Sequence, residues 1–208
     1  MSRASIVRAR IVVMLCLSSF AVMSAQLPEP DGGTIERGTL PAHWLSQGSK
    51  CMEIPEWQVH EYNPNFFILR QSPCTDYEKP FVFLFFGKDK ALLADTGSRN
   101  GNLAPALQHA VHNWLERNHR TTISIIVTHS HSHDDHTWGD AALQALNDPA
   151  IPIEYVAPSV EAASKAFSID PWPTALGQVD LGGRILKDRK STRLNSSHSE
   201  ISRMPSSA

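Results

Sequence analysis

Between residues 90 and 128 the apolar pattern changes period twice, and few folds can accommodate that. Lys90-Ala91-Leu92-Leu93-Ala94 reads as a short strand that ends at Asp95-Thr96-Gly97. Leu103, Ala106, Leu107, Ala110, Val111, Trp114 and Leu115 then recur at helical spacing, which predicts a helix over 102–118. Asn100 or Asn102 would cap it. Ile123-Ser124-Ile125-Ile126-Val127-Thr128 returns to a mostly apolar strand. Strand, helix and strand in that order predict a βαβ unit with the two strands parallel. Such a unit needs a sheet to sit in, and its ligands bind just beyond the carboxyl ends of the strands.

The flanking sequence supplies more strands. Trp57-Gln58-Val59-His60-Glu61-Tyr62 alternates apolar and polar, Asn63-Pro64-Asn65 signals a turn, and Phe66-Phe67-Ile68-Leu69 follows. Phe81 to Phe86 is a continuous aromatic and aliphatic run, expected to be buried. With 90–94 these read as an antiparallel meander. Beyond the βαβ unit, Gly139 to Leu146 reads as a short helix, Ile153 to Val156 as a strand, and Ser159 to Phe167 as a helix capped by Ser159. Val179 to Leu186 looks like the beginning of a hairpin without a second half. The chain is α/β.

Both ends read differently. Arg3, Arg8 and Arg10 precede the apolar run Ile11–Leu17, which is extended by Phe20-Ala21-Val22 and followed by the small residues Ser24 and Ala25. That is the layout of a signal peptide over 1–25, with cleavage near Ala25-Gln26. The alternative is an uncleaved anchor, but the run falls short of the ~20 residues a span needs. Periplasmic or secreted localisation follows, with no membrane contact after cleavage. Residues 26–54 form an irregular lead-in segment and 55–187 the domain. Export leaves Cys51 and Cys74, which an oxidising compartment would allow to pair; two free thiols are the alternative. Residues 188–208 are Ser-rich without apolar period and are expected to be disordered. They resemble a translated sequencing adaptor, so the authentic sequence is expected to end near Leu186 or Lys187.

The second parallel strand points at His131-Ser132-His133-Asp134-Asp135-His136. Imidazole and carboxylate together suit zinc and similar borderline metals. His131 and His133, two apart, send their rings to one side of an extended segment. Asp135 and His136 follow at once, so the chain must turn there and can present a second pair. Two metals ~3.5–4 Å apart are an arrangement used for hydrolysis. His109 and His112 share a helical face, yet nothing accompanies them at matching spacing, so they read as surface or packing residues.

The pattern His-x-His-x-Asp-His resembles the hallmark of the metallo-β-lactamase superfamily. Ile125–Thr128 is similar to that family's strand leading into the hallmark, Gly139-Asp140 to the pair opening its next helix, and Ala91–Gly97 to its strand ending in Asp-x-Gly. The resemblance spans 55–187 and implies a metallo-β-lactamase-like αβ/βα sandwich, of which the N-terminal half to two-thirds is present. It implies that His131 and His133 hold a first zinc and Asp135 and His136 a second. Asp135 would also be catalytic, as proton acceptor or donor. Asp95 would lie beneath the site and orient a ligand His, and Thr128 would hydrogen-bond around it. His129 and Asp134 fall outside the ligand register. The family draws further ligands from downstream, where His198 is the only His and receives no role.

The implied function is an exported metal-dependent hydrolase, acting on a small-molecule ester, amide, thioester or related bond through a metal-bound hydroxide. With two protein ligands per metal, where a catalytic zinc usually has three, the truncated 208-residue chain is expected to be nearly inactive. The alternatives are a non-catalytic periplasmic metal-binding module and a pseudo-enzyme kept for its fold. A net charge of −2 without a clustered basic face excludes a nucleic-acid binder.

Overall fold

The computed structural model describes residues 36–46 and 51–187. The expected signal peptide and the expected disordered tail lie outside these residues. A 3-10 turn at Cys51–Glu53 leads into one six-stranded mixed sheet. Its strands β1 (Trp57–Asn63), β2 (Phe66–Gln71), β3 (Phe81–Phe86) and β4 (Lys90–Ala94) pair antiparallel in sequence order. Helix α1 (Leu103–Arg117) then crosses over to β5 (Ser124–Thr128), which pairs parallel with β4, and β6 (Ile153–Tyr155) pairs parallel with β5. A helical turn α2 (Asp134–Thr137) and a short helix α3 (Asp140–Gln144) lie between β5 and β6. Helix α4 (Val160–Phe167) precedes strands β7 (Gln178–Asp180) and β8 (Ile185–Lys187).

Local chemistry accounts for these elements. Asn63 Oδ1 accepts from Asn65 N–H (3.0 Å), which closes the β1–β2 turn as an Asx turn. Asn102, rather than Asn100, caps α1: its Oδ1 accepts from Ala104 N–H (3.1 Å), while Asn100 has φ +58°. Pro105 sits in the first turn of α1, where its missing N–H has no intrahelical partner to lose. Ser159 caps α4 through a bond from Ala162 N–H (3.1 Å).

The main core lies between one sheet face and α1. Leu69, Val82, Leu84, Leu93, Ile125 and Val127 from the strands meet Leu103, Leu107, Val111 and Trp114 from the helix. The Trp114 ring stacks on Phe86 at 4.5 Å, and its Nε1–H donates to Asn65 Oδ1 (3.0 Å). Each fully buried aliphatic side chain here contributes about 1.5–3 kcal/mol.

Two expectations need correction. The 81–86 run is not buried on both faces: Val82, Leu84 and Phe86 are buried, but Phe81, Phe83 and Phe85 face the other side and remain partly exposed. Aromatic chemistry does not specify two-sided burial. The strand alternates, and only one face has α1 over it. On the other face Trp44 packs edge-on to Phe81 (5.1 Å), and Phe66 stacks on Phe85 (4.3 Å). The hairpin near Gly182 does have its second half. β7 and β8 pair from Gln178↔Lys187 to Asp180↔Ile185, with Gly182 (φ +87°) and Gly183 (φ +72°) turning the chain. Val179 and Leu181 pack on Leu92. The second sheet expected of a sandwich amounts, among the described residues, to this pair of strands.

Cys51 and Cys74 form a disulfide, Cα–Cα 5.4 Å. The bond ties the lead-in turn to the β2–β3 loop. Among the described residues no helix is long and apolar enough to cross a membrane.

Candidate metal centre

β4 and β5 end side by side, Ala94 opposite Thr128. The loops that follow them leave from the same sheet edge, at the carboxyl ends of the parallel pair. Three backbone bonds lace these loops together. Asp95 N–H donates to Thr128 O (2.8 Å), Thr96 N–H to His136 O (2.8 Å), and Trp138 N–H to Gly97 O (3.1 Å). Gly139 passes so close to Thr96 that a Cβ there would lie 2.2 Å from the Thr96 carbonyl oxygen, which explains a glycine at this position.

The histidine run does not stay extended. His133 is the N-cap of α2, and the turn over Asp134–Thr137 brings Asp135 and His136 back toward His131. His131, Asp135 and His136 each present one ligand atom, and these atoms all lie within 4.8 Å of one another. No other such group of three occurs among the described residues. The His131 and His136 rings are 4.0 Å apart. Asp135 Oδ2 lies 3.0 Å from His136 Nε2. His133 stands beside the group, exposed, its ring edge-on to His131 at 4.5 Å. The convergent donors thus join one member of the expected first pair to both members of the expected second pair.

Asp95 underlies the group. It is 4% exposed and adopts φ +68°, a backbone conformation Asp tolerates better than most residues. Its Oδ1 accepts from Ser130 N–H (2.7 Å); its Oδ2 accepts from Ser130 Oγ–H (3.0 Å) and from His136 Nδ1 (2.8 Å). These bonds fix the His136 ring plane and engage one of its nitrogens.

The two rings respond oppositely to their surroundings. Partial burial disfavours charge on His136, but the hydrogen bond and charge of Asp95, joined by Asp135, outweigh it and raise its pKa above 6.5. His131 is held below 6.5, first by desolvation and then by the neighbouring His136 and His133 rings. His131 is therefore a neutral imidazole at neutral pH, with a lone pair available to a metal.

An outer ring of contacts braces this arrangement. Thr96 Oγ1–H donates to Asp140 Oδ1 (2.8 Å), and His129 Nε2 lies 3.0 Å from the same oxygen. Tyr155 Oη–H donates to the Asp140 carbonyl (3.2 Å), and burial pushes its phenol up to about 12. Thr128 meets Asp95 through its main-chain carbonyl, not through its hydroxyl. Asp134 turns outward to Arg99 (2.5 Å), whose guanidinium lies over the Trp138 ring at 4.7 Å. Sequence reasoning missed Ser130, Thr96, Asp140 and Tyr155. Ser130 and Asp140 flank the histidine run closely enough to have been considered, whereas nothing local marks Tyr155. His112 pairs with Asp148 (2.8 Å) and His109 with Asn113 (3.0 Å), away from the group.

Two imidazoles and a carboxylate, partly buried and converging, form a donor set that fits zinc and its neighbours. Cys51 and Cys74, joined to each other, offer no thiolate. No protein-family model matches the sequence, and no curated protein does. Among solved structures, the mono-zinc form of the metallo-beta-lactamase FIM-1 from Pseudomonas aeruginosa is similar, with 17% identity and a TM-score of 0.31. The match covers 54% of this chain and 46% of that one, so the chain spans under half of that neighbour's length.

Proposed function

We propose that this chain is a metal-dependent hydrolase, its metal held by His131, Asp135 and His136 with His133 beside them. One observation carries the reading: those three side chains offer ligand atoms within 4.8 Å of one another. When bound, a zinc-type ion supplies Lewis acidity and makes water a stronger acid. The rest is the work of the chain. His131 and His136 present lone pairs, Asp95 sets the His136 ring, and Asp135 serves as proton acceptor through the carboxylate oxygen not engaged at His136. The substrate class is a small molecule with an ester, amide, thioester or related bond. A leader-like N-terminus and a disulfide support an exported protein. A second zinc, with His133 as one of its ligands, is part of the same proposal.

The alternative is a metal-binding module without catalysis. Three protein donors favour the enzyme, because catalytic zinc sites keep three protein ligands and one open position, whereas structural sites close all four. The test is zinc titration of the metal-stripped full chain by calorimetry, with a panel of ester, thioester and β-lactam reporters. Zinc binding that is abolished by His136→Ala, with slow zinc-dependent hydrolysis, is expected. Absence of zinc binding overturns the metal site. Binding without hydrolysis of any reporter assigns the module instead.

A further inference from the structure

Ser130 sits where three groups need its single hydroxyl proton or its lone pairs. Its Oγ lies 3.0 Å from Asp95 Oδ2, 3.0 Å from His131 Nδ1 and 3.2 Å from His136 Nδ1. A hydroxyl donates once. Asp95 is a buried carboxylate and only accepts, so the proton goes to it in a charge-assisted bond. Were it aimed at His131 instead, the Ser130 and Asp95 oxygens would face each other with lone pairs alone, at 3.0 Å. With the hydroxyl committed to Asp95, Oγ can only accept from His131, which must then carry its proton on Nδ1. His136, bonded to the same Asp95 Oδ2 through Nδ1 at 2.8 Å, carries its proton there too.

We propose that Ser130 is a positioning residue that relays the Asp95 carboxylate to His131, so that one buried charge holds the Nδ1 atoms of both histidines and turns both Nε2 atoms to the ligand side, where His136 Nε2 lies beside Asp135 Oδ2 (3.0 Å). This rests on the metal-site reading above, but the chain Asp95–Ser130–His131 is a property of the protein alone. An isolated imidazole side chain has no such constraint. Orienting contacts of this kind are worth about 10–100-fold in metal affinity.

The experiment is long-range proton–nitrogen NMR of the histidine rings in the metal-stripped full chain, at a pH where they are neutral. His131 and His136 are both expected as Nδ1–H tautomers. Ser130→Ala should move His131 to the Nε2–H form, leave His136 unchanged, and weaken zinc about 10-fold. Ser130→Thr, which keeps the hydroxyl, should restore both. Ser132→Ala, at an exposed neighbouring serine, should change neither. Nε2–H on His131 in the unmutated chain overturns the proposal, whether or not the variants fold. So does an unchanged tautomer in Ser130→Ala. A chain that binds no zinc refutes the metal site, while the tautomers still decide the role of Ser130.

Discussion

Replacing Asp95 by Asn isolates what its charge does. Asn tolerates the +68° φ as well as Asp does, so the backbone should be undisturbed. The amide oxygen can keep the bond from Ser130 N–H at 2.7 Å. The amide nitrogen then occupies the place of Oδ2, a donor 2.8 Å from the His136 Nδ1–H and 3.0 Å from Ser130 Oγ, where the parent has an acceptor. His136 can relieve the clash by moving its proton to Nε2, but that takes away the atom expected to ligate. A hydrogen bond to a charged group is worth about 1.5–3 kcal/mol. Taking about 2 kcal/mol for the His136 bond alone, zinc affinity should fall about 30-fold. The same loss should lower the melting temperature of the metal-free protein by about 4–8 °C for a chain of this size. Calorimetric titration of zinc into metal-stripped protein and a thermal melt measure both. An Asp95→Asn protein that binds zinc within about threefold of the parent, against the 10–100-fold typical of such contacts, would refute the claim that this carboxylate holds the site.

The donor geometry predicts that His136→Ala weakens zinc far more than His133→Ala, since His133 lies outside the convergent group; calorimetry of the two variants side by side checks the order, and equal losses would contradict it. The pKa of His136 is raised above 6.5, so the stabilisation the charged ring draws from Asp95 is present below 6.5 and is lost as pH rises through the raised value. The melting-temperature gap between metal-free parent and His136→Ala should therefore narrow from pH ~5.5 to pH ~8.5, while zinc affinity, which needs the neutral ring, should rise over the same interval. Cys51→Ser with Cys74→Ser opens a loop whose ends are 23 residues apart and should cost about 3 kcal/mol in urea unfolding. Because neither sulfur belongs to the histidine group, zinc affinity should stay within about twofold, well under the loss a site-orienting contact produces.

What sequence alone determined were features that depend on neighbours along the chain. The strand at β1, the helical stripe of α1 and the Asn-Pro-Asn turn are each written within a few residues, and each appears where the pattern puts it, although Val59 of β1 is exposed. The βαβ order also located the His run correctly, because a strand leaving a parallel sheet can deliver its loop only to the carboxyl edge. Tertiary structure decided what depends on distance through space. Alternation could say that Phe81, Phe83 and Phe85 share a face, but not that this face is covered only in part, by Trp44 and by the cluster of Phe167, Val179 and Leu181. The spacing His-x-His-x-Asp-His suggested two pairs, yet the turn at 134–137 swings Asp135 and His136 onto His131 and leaves His133 at the cap. Asp95 reaches Ser130 across 35 positions and His136 across 41. Those contacts exist because β4 and β5 end side by side, and pattern reading along a single segment cannot see a bond that only the closing of a sheet creates.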